Sequence, residues 1–248
     1  MKRIALIAVL SIGSISFSPE SFREQQKKAP RVKISYKEKE QGVKELLAAK
    51  NIDPATLNLF IRVFKQEARL ELWAKSKNQT QFILLRGYNI CSSSGELGPK
   101  RKQGDGQVPE GFYHIDRFNP YSNFYLSLGI NYPNQSDNKL AEKGNPGGDI
   151  FIHGSCVTIG CLPMTDDKIK EIYLIAVEAK SNGQEKIPVH IFPCSLNEDG
   201  VQFLAEKYRT NIELIRFWTN LKSGFDYFEK HKILPKVTVD ITGRYIFN

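Results

Sequence analysis

Between residues 92 and 111 this chain cannot hold a regular element. Gly95, the Gly98-Pro99 pair, Gly104-Asp105-Gly106 and Pro109 follow one another too closely for a helix to propagate or a strand ladder to keep its donors. The segment is therefore a long loop. Ahead of it, residues 59–64, 69–75 and 81–90 read as strands, the last two separated by the turn Lys77-Asn78-Gln79. Alternation at Leu70, Leu72 and Ala74 marks a half-buried strand. Beyond the loop, residues 112–118 and 187–192 form further strands. Thr165, with Asp166 and Asp167 behind it, opens a helix whose stripe Ile169, Ile172, Tyr173, Ala176 has spacing i, i+3, i+4, i+7, and Asn182-Gly183 ends it. A second helical region, 201–231, carries Val201, Leu204, Tyr208, Ile212, Ile215 and Trp218 on one face, and a strand-like run, 236–241, follows Pro235. The glycines of the loop do not make a phosphate cradle, because no G-x-x-x-x-G-K-[ST] arrangement or following helix accompanies them.

The ends divide the chain further. Lys2-Arg3, the apolar segment 4–12 and the small residues Ser14, Ser16 and Ser18 have the layout of a secretory signal peptide, 1–18. The polar residues 20–39, rich in Lys, Glu and Gln, read as a loose tether, and 41–50 as a short helix stopped by Asn51 and Asp53-Pro54, so 19–55 is a tether with a short helix. A catalytic domain is expected over 56–194 and a C-terminal helical extension with a final strand over 195–248. Residues 119–148, with Tyr121, Phe124, Tyr125 and Tyr132 among turn residues, suit either a substrate-facing flap or a surface connection stapled by its aromatics. No internal apolar run is long enough to cross a bilayer, so no stable membrane insertion is expected once the signal is cleaved. Export places the protein in the periplasm or cell envelope. The formal charge of +8 comes with no aromatic-basic interleaving or nucleic-acid motif, so attraction to an anionic envelope, or a basic surface with no specific partner, is favoured over nucleic acid.

The chemistry gathers in residues 149–164. An apolar run, Ile150-Phe151-Ile152, delivers His153 to a strand end, and Cys161 follows Gly160 eight positions later. A thiol attacks as the thiolate, and an imidazole is the usual device for generating it. Gly160 gives the backbone room to turn its N–H groups toward a developing oxyanion. On spacing alone three readings stand. Cys161 is a nucleophile with His153 as its base; Cys156 and Cys161 are small buried hydrophobes; or His153, Cys156 and Cys161 are zinc ligands, although the tight C-x2-C pair of zinc sites is lacking. His114, on the strand 112–118, has no thiol near it in sequence and reads as structural. If Cys161 is the nucleophile, Cys91, Cys156 and Cys194 remain, enough for one disulfide and a spare thiol, with the pairing open.

Three blocks carry a resemblance: Ser93-Ser94-Gly95-Glu96-Leu97-Gly98-Pro99-Lys100 with Gln103-Gly104-Asp105; Val108-Pro109-Glu110-Gly111-Phe112-Tyr113; and His153-Gly154 … Thr158-x-Gly160-Cys161. Together they resemble the YkuD-type L,D-transpeptidase catalytic domain, in its YafK-like short-loop branch, over about residues 59–192. The resemblance implies a mainly β (α+β) fold, a β-sandwich catalytic domain with flanking helices, acting on peptidoglycan stem peptides. It implies Cys161 as nucleophile, His153 as general base and proton donor, and the Gly154 carbonyl as the group that orients His153. Gly160 and Cys161 would supply oxyanion N–H groups; Thr158, Tyr113 and Lys100 would bind or support substrate. Cys156 has no matched role, and no metal or organic cofactor is implied. The acyl-enzyme would form at the L-centre of a stem diamino acid, and an amine or water would resolve it.

Two departures bear on that last step. His153 and Thr158 are only five positions apart, where most relatives have a much longer loop, and Ile159 and Pro163 replace the usual histidine and asparagine or arginine. Hydrolysis of stem-peptide or wall-lipoprotein linkages is therefore the alternative to transpeptidation. A papain-like or NlpC-type peptidase would place its cysteine before its histidine, the reverse of the order here. A non-catalytic wall-binding module would have no need of both His153 and Cys161.

Overall fold

The computed structural model describes residues 20–248, so the expected signal peptide, 1–18, lies outside the described residues. The strands are β1 (Leu57–Phe64), β2 (Arg69–Ser76), β3 (Ile83–Asn89), β4 (Gly111–Asn119), β5 (Ser127–Ile130), β6 (Phe151–His153), β7 (Leu162–Pro163), β8 (Ile187–Phe192), β9 (Val237–Val239) and β10 (Tyr245–Phe247). The helices are α1 (Phe22–Lys27), α2 (Pro30–Ala49), α3 (Gln135–Leu140), α4 (Asp166–Ser181), α5 (Glu198–Lys207) and α6 (Ile212–His231). The first eight strands form one continuous mixed sheet, ordered β3-β2-β1-β8-β4-β5-β6-β7, and β9 and β10 form a separate hairpin. Its pairings are antiparallel except β1 with β8 and β6 with β7. The mainly β, α+β class expected from sequence is the class observed.

β1 shows why the sheet is covered on both faces. Successive strand side chains point to opposite sides, and β1 is apolar on both. Leu57, Leu59, Ile61 and Val63 join a core with α2 and α4, through Val32, Tyr36, Leu47, Ile172 and Ala176 among others. Phe60 and Phe64 face α6, with ring centroids 5.0 Å from Phe228 and 6.3 Å from Phe225. Arg62 shares that second face. It is buried because Glu71 accepts from its Nε at 2.9 Å, Glu229 of α6 pairs with it, and its guanidinium lies 4.9 Å from the Trp73 ring. A charge taken from water is tolerated only when paired and hydrogen-bonded in this way.

One expectation is corrected. Residues 20–39 are not a loose tether: α1 and α2 are helical and docked. Val32, Tyr36, Val43 and Leu47 lie along one side of α2 and are buried, and Tyr36 donates from its hydroxyl to Glu178 of α4 at 2.6 Å. Glu178 also pairs with Arg23. Within residues 119–148, β5 is buried throughout and paired to β4 and to β6, while Tyr121 and Phe124 are exposed. The helical region 201–231 comprises α5 and α6, with Tyr208 and Asn211 at the break between them.

His190, on β8 opposite Arg62 and Phe112, is buried with its ring 4.6 Å from both Phe60 and Phe112. Desolvation first, and then the Arg62 cation, push its pKa down to about 3, against 6.5 for a free histidine. The unfolded chain therefore takes up a proton between these two pH values that the folded chain refuses. The stability contributed by a neutral His190 is complete above pH 6.5 and is lost as pH falls toward 3, at about 1.4 kcal/mol per pH unit. Urea denaturation from pH 7 to pH 4.5 should show a steeper decline for the wild type than for His190→Leu. Equal slopes would assign the acid sensitivity to other groups.

Candidate active site

β6 and β7 bring the two sequence-predicted catalytic residues onto neighbouring segments of chain. Ile152 pairs with Leu162 and His153 with Pro163 in a parallel ladder, His153 ends β6, and Cys161 immediately precedes β7. His153 is 1% exposed, with its ring 4.6 Å from that of Phe124. Its Nδ1 lies 2.5 Å from the carbonyl oxygen of Gly154. A carbonyl only accepts, so Nδ1 carries the proton and Nε2 keeps its lone pair as the basic atom. Gly154 has to be a glycine: a Cβ there would come within 2.7 Å of the Phe124 carbonyl oxygen and 2.6 Å of Asp166 Oδ1.

The surroundings of Cys161 are equally defined. The Phe151 N–H donates to Cys161 Sγ at 3.4 Å, and the thiol in turn points to the Asp149 carbonyl at 3.7 Å. Burial pushes the Cys161 thiol above its ordinary pKa, opposed by the Phe151 hydrogen bond and the Lys100 cation, with the Asp149 carboxylate adding to the rise. Burial also lowers the His153 pKa, against the Gly154 hydrogen bond. Both shifts favour uncharged partners. No hydrogen bond joins Cys161 to His153 among the described residues, so the arrangement suits proton transfer during attack better than a standing thiolate–imidazolium pair.

The expected oxyanion donors are engaged elsewhere. Thr158 Oγ1 accepts from the N–H of Gly160 at 3.2 Å and of Cys161 at 2.9 Å, and donates to the Cys161 carbonyl at 2.7 Å. The loop is short enough for this hydroxyl to fold back on its own backbone. Tyr113 is corrected as a substrate-facing residue: it is buried in the core, and its hydroxyl donates to the Glu110 carbonyl at 3.1 Å. Lys100 is likewise turned inward, paired with Asp105 and donating to the Lys102 carbonyl at 2.8 Å. The first turn of α4 meets the Gly154–Ser155 backbone, where Asp166 Oδ1 accepts from the Ser155 N–H at 2.8 Å.

Cys156 proves to be bonded to Cys91 in a disulfide that spans 65 positions of sequence. That bond removes Cys156 from any zinc ligand set with His153 and Cys161, and it anchors the catalytic loop to the end of β3. Cys194 is free and buried, its thiol pushed up to about 12 by desolvation, then by Glu67 and Glu110.

Cys161 also lines a cavity of about 250 Å³ with Lys65, Ser94, Glu96, Val108 and Lys207 on its walls. The glycine-rich loop thus stands beside the site as the resemblance implied. Sequence reasoning missed Lys207 entirely, since it comes from α5 in a segment with no motif. It also missed the role of Lys65, which only the fold carries to the cavity from the end of β1.

Two outcomes check this geometry. Alkylation of Cys161 by iodoacetamide, with Cys161→Ala as the blank, should be slow at neutral pH and climb continuously into the alkaline range. A plateau near pH 6 would instead mark a preformed ion pair. The double variant Cys91→Ala/Cys156→Ala should lose about 4 kcal/mol of stability in guanidinium denaturation, the loop-closure entropy of a cross-link of this span. Wild-type stability would mean that the bond constrains nothing the fold does not already hold.

The profile of the YkuD L,D-transpeptidase catalytic domain matches residues 58–191. Over 190 residues the chain is 39% identical to the protein named Putative L,D-transpeptidase YafK of Escherichia coli strain K12, covering 76% of this chain and 73% of that relative. Among solved structures, the helical cell shape determining protein Pgp2 of Campylobacter jejuni is similar with a TM-score of 0.44 at 18% identity, over 74% of this chain and 73% of Pgp2. Bd1075 of Bdellovibrio bacteriovorus follows with a TM-score of 0.40 at 20% identity, over 76% of this chain and 79% of its own. With its whole sheet from β1 to β8 inside or beside the matched span, and that identity to a curated relative, this chain belongs to the YkuD-type L,D-transpeptidase family.

Proposed function

We propose that the protein is a cysteine-dependent L,D-transpeptidase that remodels the cell wall by transferring peptidoglycan stem peptides through a Cys161 acyl-enzyme. The observation that supports this is the hydrogen bond between His153 Nδ1 and the Gly154 carbonyl, an acceptor that calls for the proton on Nδ1 and so leaves Nε2 as the basic atom, on the strand beside the segment that carries Cys161. In the reaction, Sγ attacks the carbonyl at the L-centre of the stem diamino acid as its proton passes to Nε2. The departing D-amino acid then takes that proton at its nitrogen. A side-chain amine or water next attacks the thioester, again with His153 as base, and Cys161 leaves as thiol. The Phe151 N–H steadies the sulfur while it carries charge. For the Gly160 and Cys161 N–H groups to bind the oxyanion, Thr158 must first release them.

Hydrolysis is the second reading, and a specific observation favours it. Ile159 is 89% exposed beside the nucleophile and cannot hydrogen-bond an incoming acceptor, and Pro163 brings no backbone donor. An amine must be oriented to outcompete water at ~55 M. Export fits either reading: the Cys91–Cys156 disulfide suits an oxidising compartment, and no helix among the described residues is long and apolar enough to cross a membrane.

Incubation with defined tetrapeptide-stem muropeptides, followed by mass spectrometry, tests both readings. The wild type should release the terminal D-residue, and Cys161→Ala should release none while melting as the wild type does. Cross-linked dimers are expected from transfer, with free tripeptide beside them to the extent that water competes. Cross-linked dimers with little free tripeptide would remove the hydrolytic reading, and turnover by Cys161→Ala would remove both.

A further inference from the structure

The cavity beside Cys161 holds more charge than acyl transfer uses. Its two cations differ. The Lys65 side chain is 8% exposed and fully committed: Nζ donates to the carbonyls of Gly98 at 2.8 Å and Val108 at 2.9 Å and pairs with Glu110 at 2.9 Å. Lys207 is exposed and makes neither ion pair nor hydrogen bond among the described residues; its ammonium lies 5.4 Å from the Phe203 ring and 5.6 Å from the Tyr208 ring. Glu96 on the same cavity is also without an ion pair among the described residues, though Gln107 Oε1 accepts from its backbone N–H at 2.9 Å and so fixes its position. Ser94, another wall residue, has a buried Oγ with no hydrogen-bond partner, and the buried hydroxyl of Tyr208 is unpartnered too.

A free cation and a free anion on the walls of one small cavity match an amino-acid head that bears both a carboxylate and an ammonium. In a stem peptide such a head exists at the far end of a diamino acid's side chain, provided it has not been cross-linked through its amine. We propose that Lys207 binds the carboxylate and Glu96 the ammonium of this zwitterionic head. The inference rests on the reading of Cys161 as a stem-peptide nucleophile and goes further by naming what selects the substrate. Lys207 and Glu96 are specificity-determining residues that touch the substrate away from the reacting carbonyl. Lys207 lies outside the matched catalytic span of 58–191, so selection is partly housed in the C-terminal extension.

Calorimetric binding to the Cys161→Ala protein tests this, using tetrapeptide stems with the head free, amidated at its carboxylate or acetylated at its amine, and a fourth stem amidated only at the terminal residue. Lys207→Ala should weaken binding of the free head about tenfold or more, as expected for a hydrogen bond to a charged group. Lys207→Arg should restore most of it, and the loss should vanish with the amidated head. Glu96→Gln should weaken the free head but not the acetylated one. Losses below twofold would overturn the assignment. So would a Lys207 effect that survives head amidation and disappears with the terminal amide, since the carboxylate would then belong to the departing residue. Binding as described without turnover by the wild type would strike the proposed function alone, and turnover without these penalties would strike this inference alone.

Discussion

The active site depends on an unusually tight connection. β6 and β7 run parallel, yet only residues 154–161 join them, where a parallel crossover ordinarily takes a dozen or more residues and a helix. A chain that must reverse direction twice in so little length has few conformations left. Gly160 sits at φ +121°, where a Cβ would also come within 2.9 Å of the Gln107 carbonyl oxygen, and Ser155 is at φ +61°. The remaining freedom is removed by Thr158 Oγ1, which gathers three backbone groups, and by the bond from Cys156 to Cys91. The geometry of His153 and Cys161 is a by-product of closing this turn.

A second constraint seats the opposite wall. Lys65, at the end of β1, is tied to Glu110, which is fully buried and also accepts from Trp218 Nε1 of α6 at 2.7 Å. With its bonds to Gly98 and Val108, this lysine pins both ends of the glycine-rich loop to the sheet and to the C-terminal helix. Both charges here are paired, and the network joins β1, the glycine-rich loop and α6. A network of that kind fixes position more than it adds stability.

What could be read from sequence follows from which signals are local. The strands β1, β2, β4 and β8 and the helix α4 were legible because apolar periodicity is written in consecutive residues. The proposed pair His153 and Cys161 was singled out by its spacing and its resemblance. The first half of α2 was not legible, although its end was read as the helix 41–50: Val32 and Tyr36 continue the helical spacing of Val43 and Leu47, but charged residues dilute them, and the N-cap, Ala29, offers no capping side chain. β5, four residues from Ser127 to Ile130 between turns, is too short to show a period. The roles of Cys91, Lys65, Glu96 and Lys207 arise only when distant segments meet. Tyr113 and Lys100 lie within matching motifs, yet their side chains turn inward, since a motif records which residue is present and not which way it points.

The Cys91–Cys156 bond has one more consequence, for how the enzyme matures. Before it closes, three thiols lie in one neighbourhood, two of them, Cys156 and Cys161, in the short connection 154–161. Closing it consumes Cys91 and Cys156 together and leaves Cys161 as the sole sulfur of the site still able to react, while Cys194 stays sealed in the core. Oxidative folding therefore does more than brace a loop: it sorts the chain's cysteines, so that the step which completes the architecture also singles out the atom available to an electrophile.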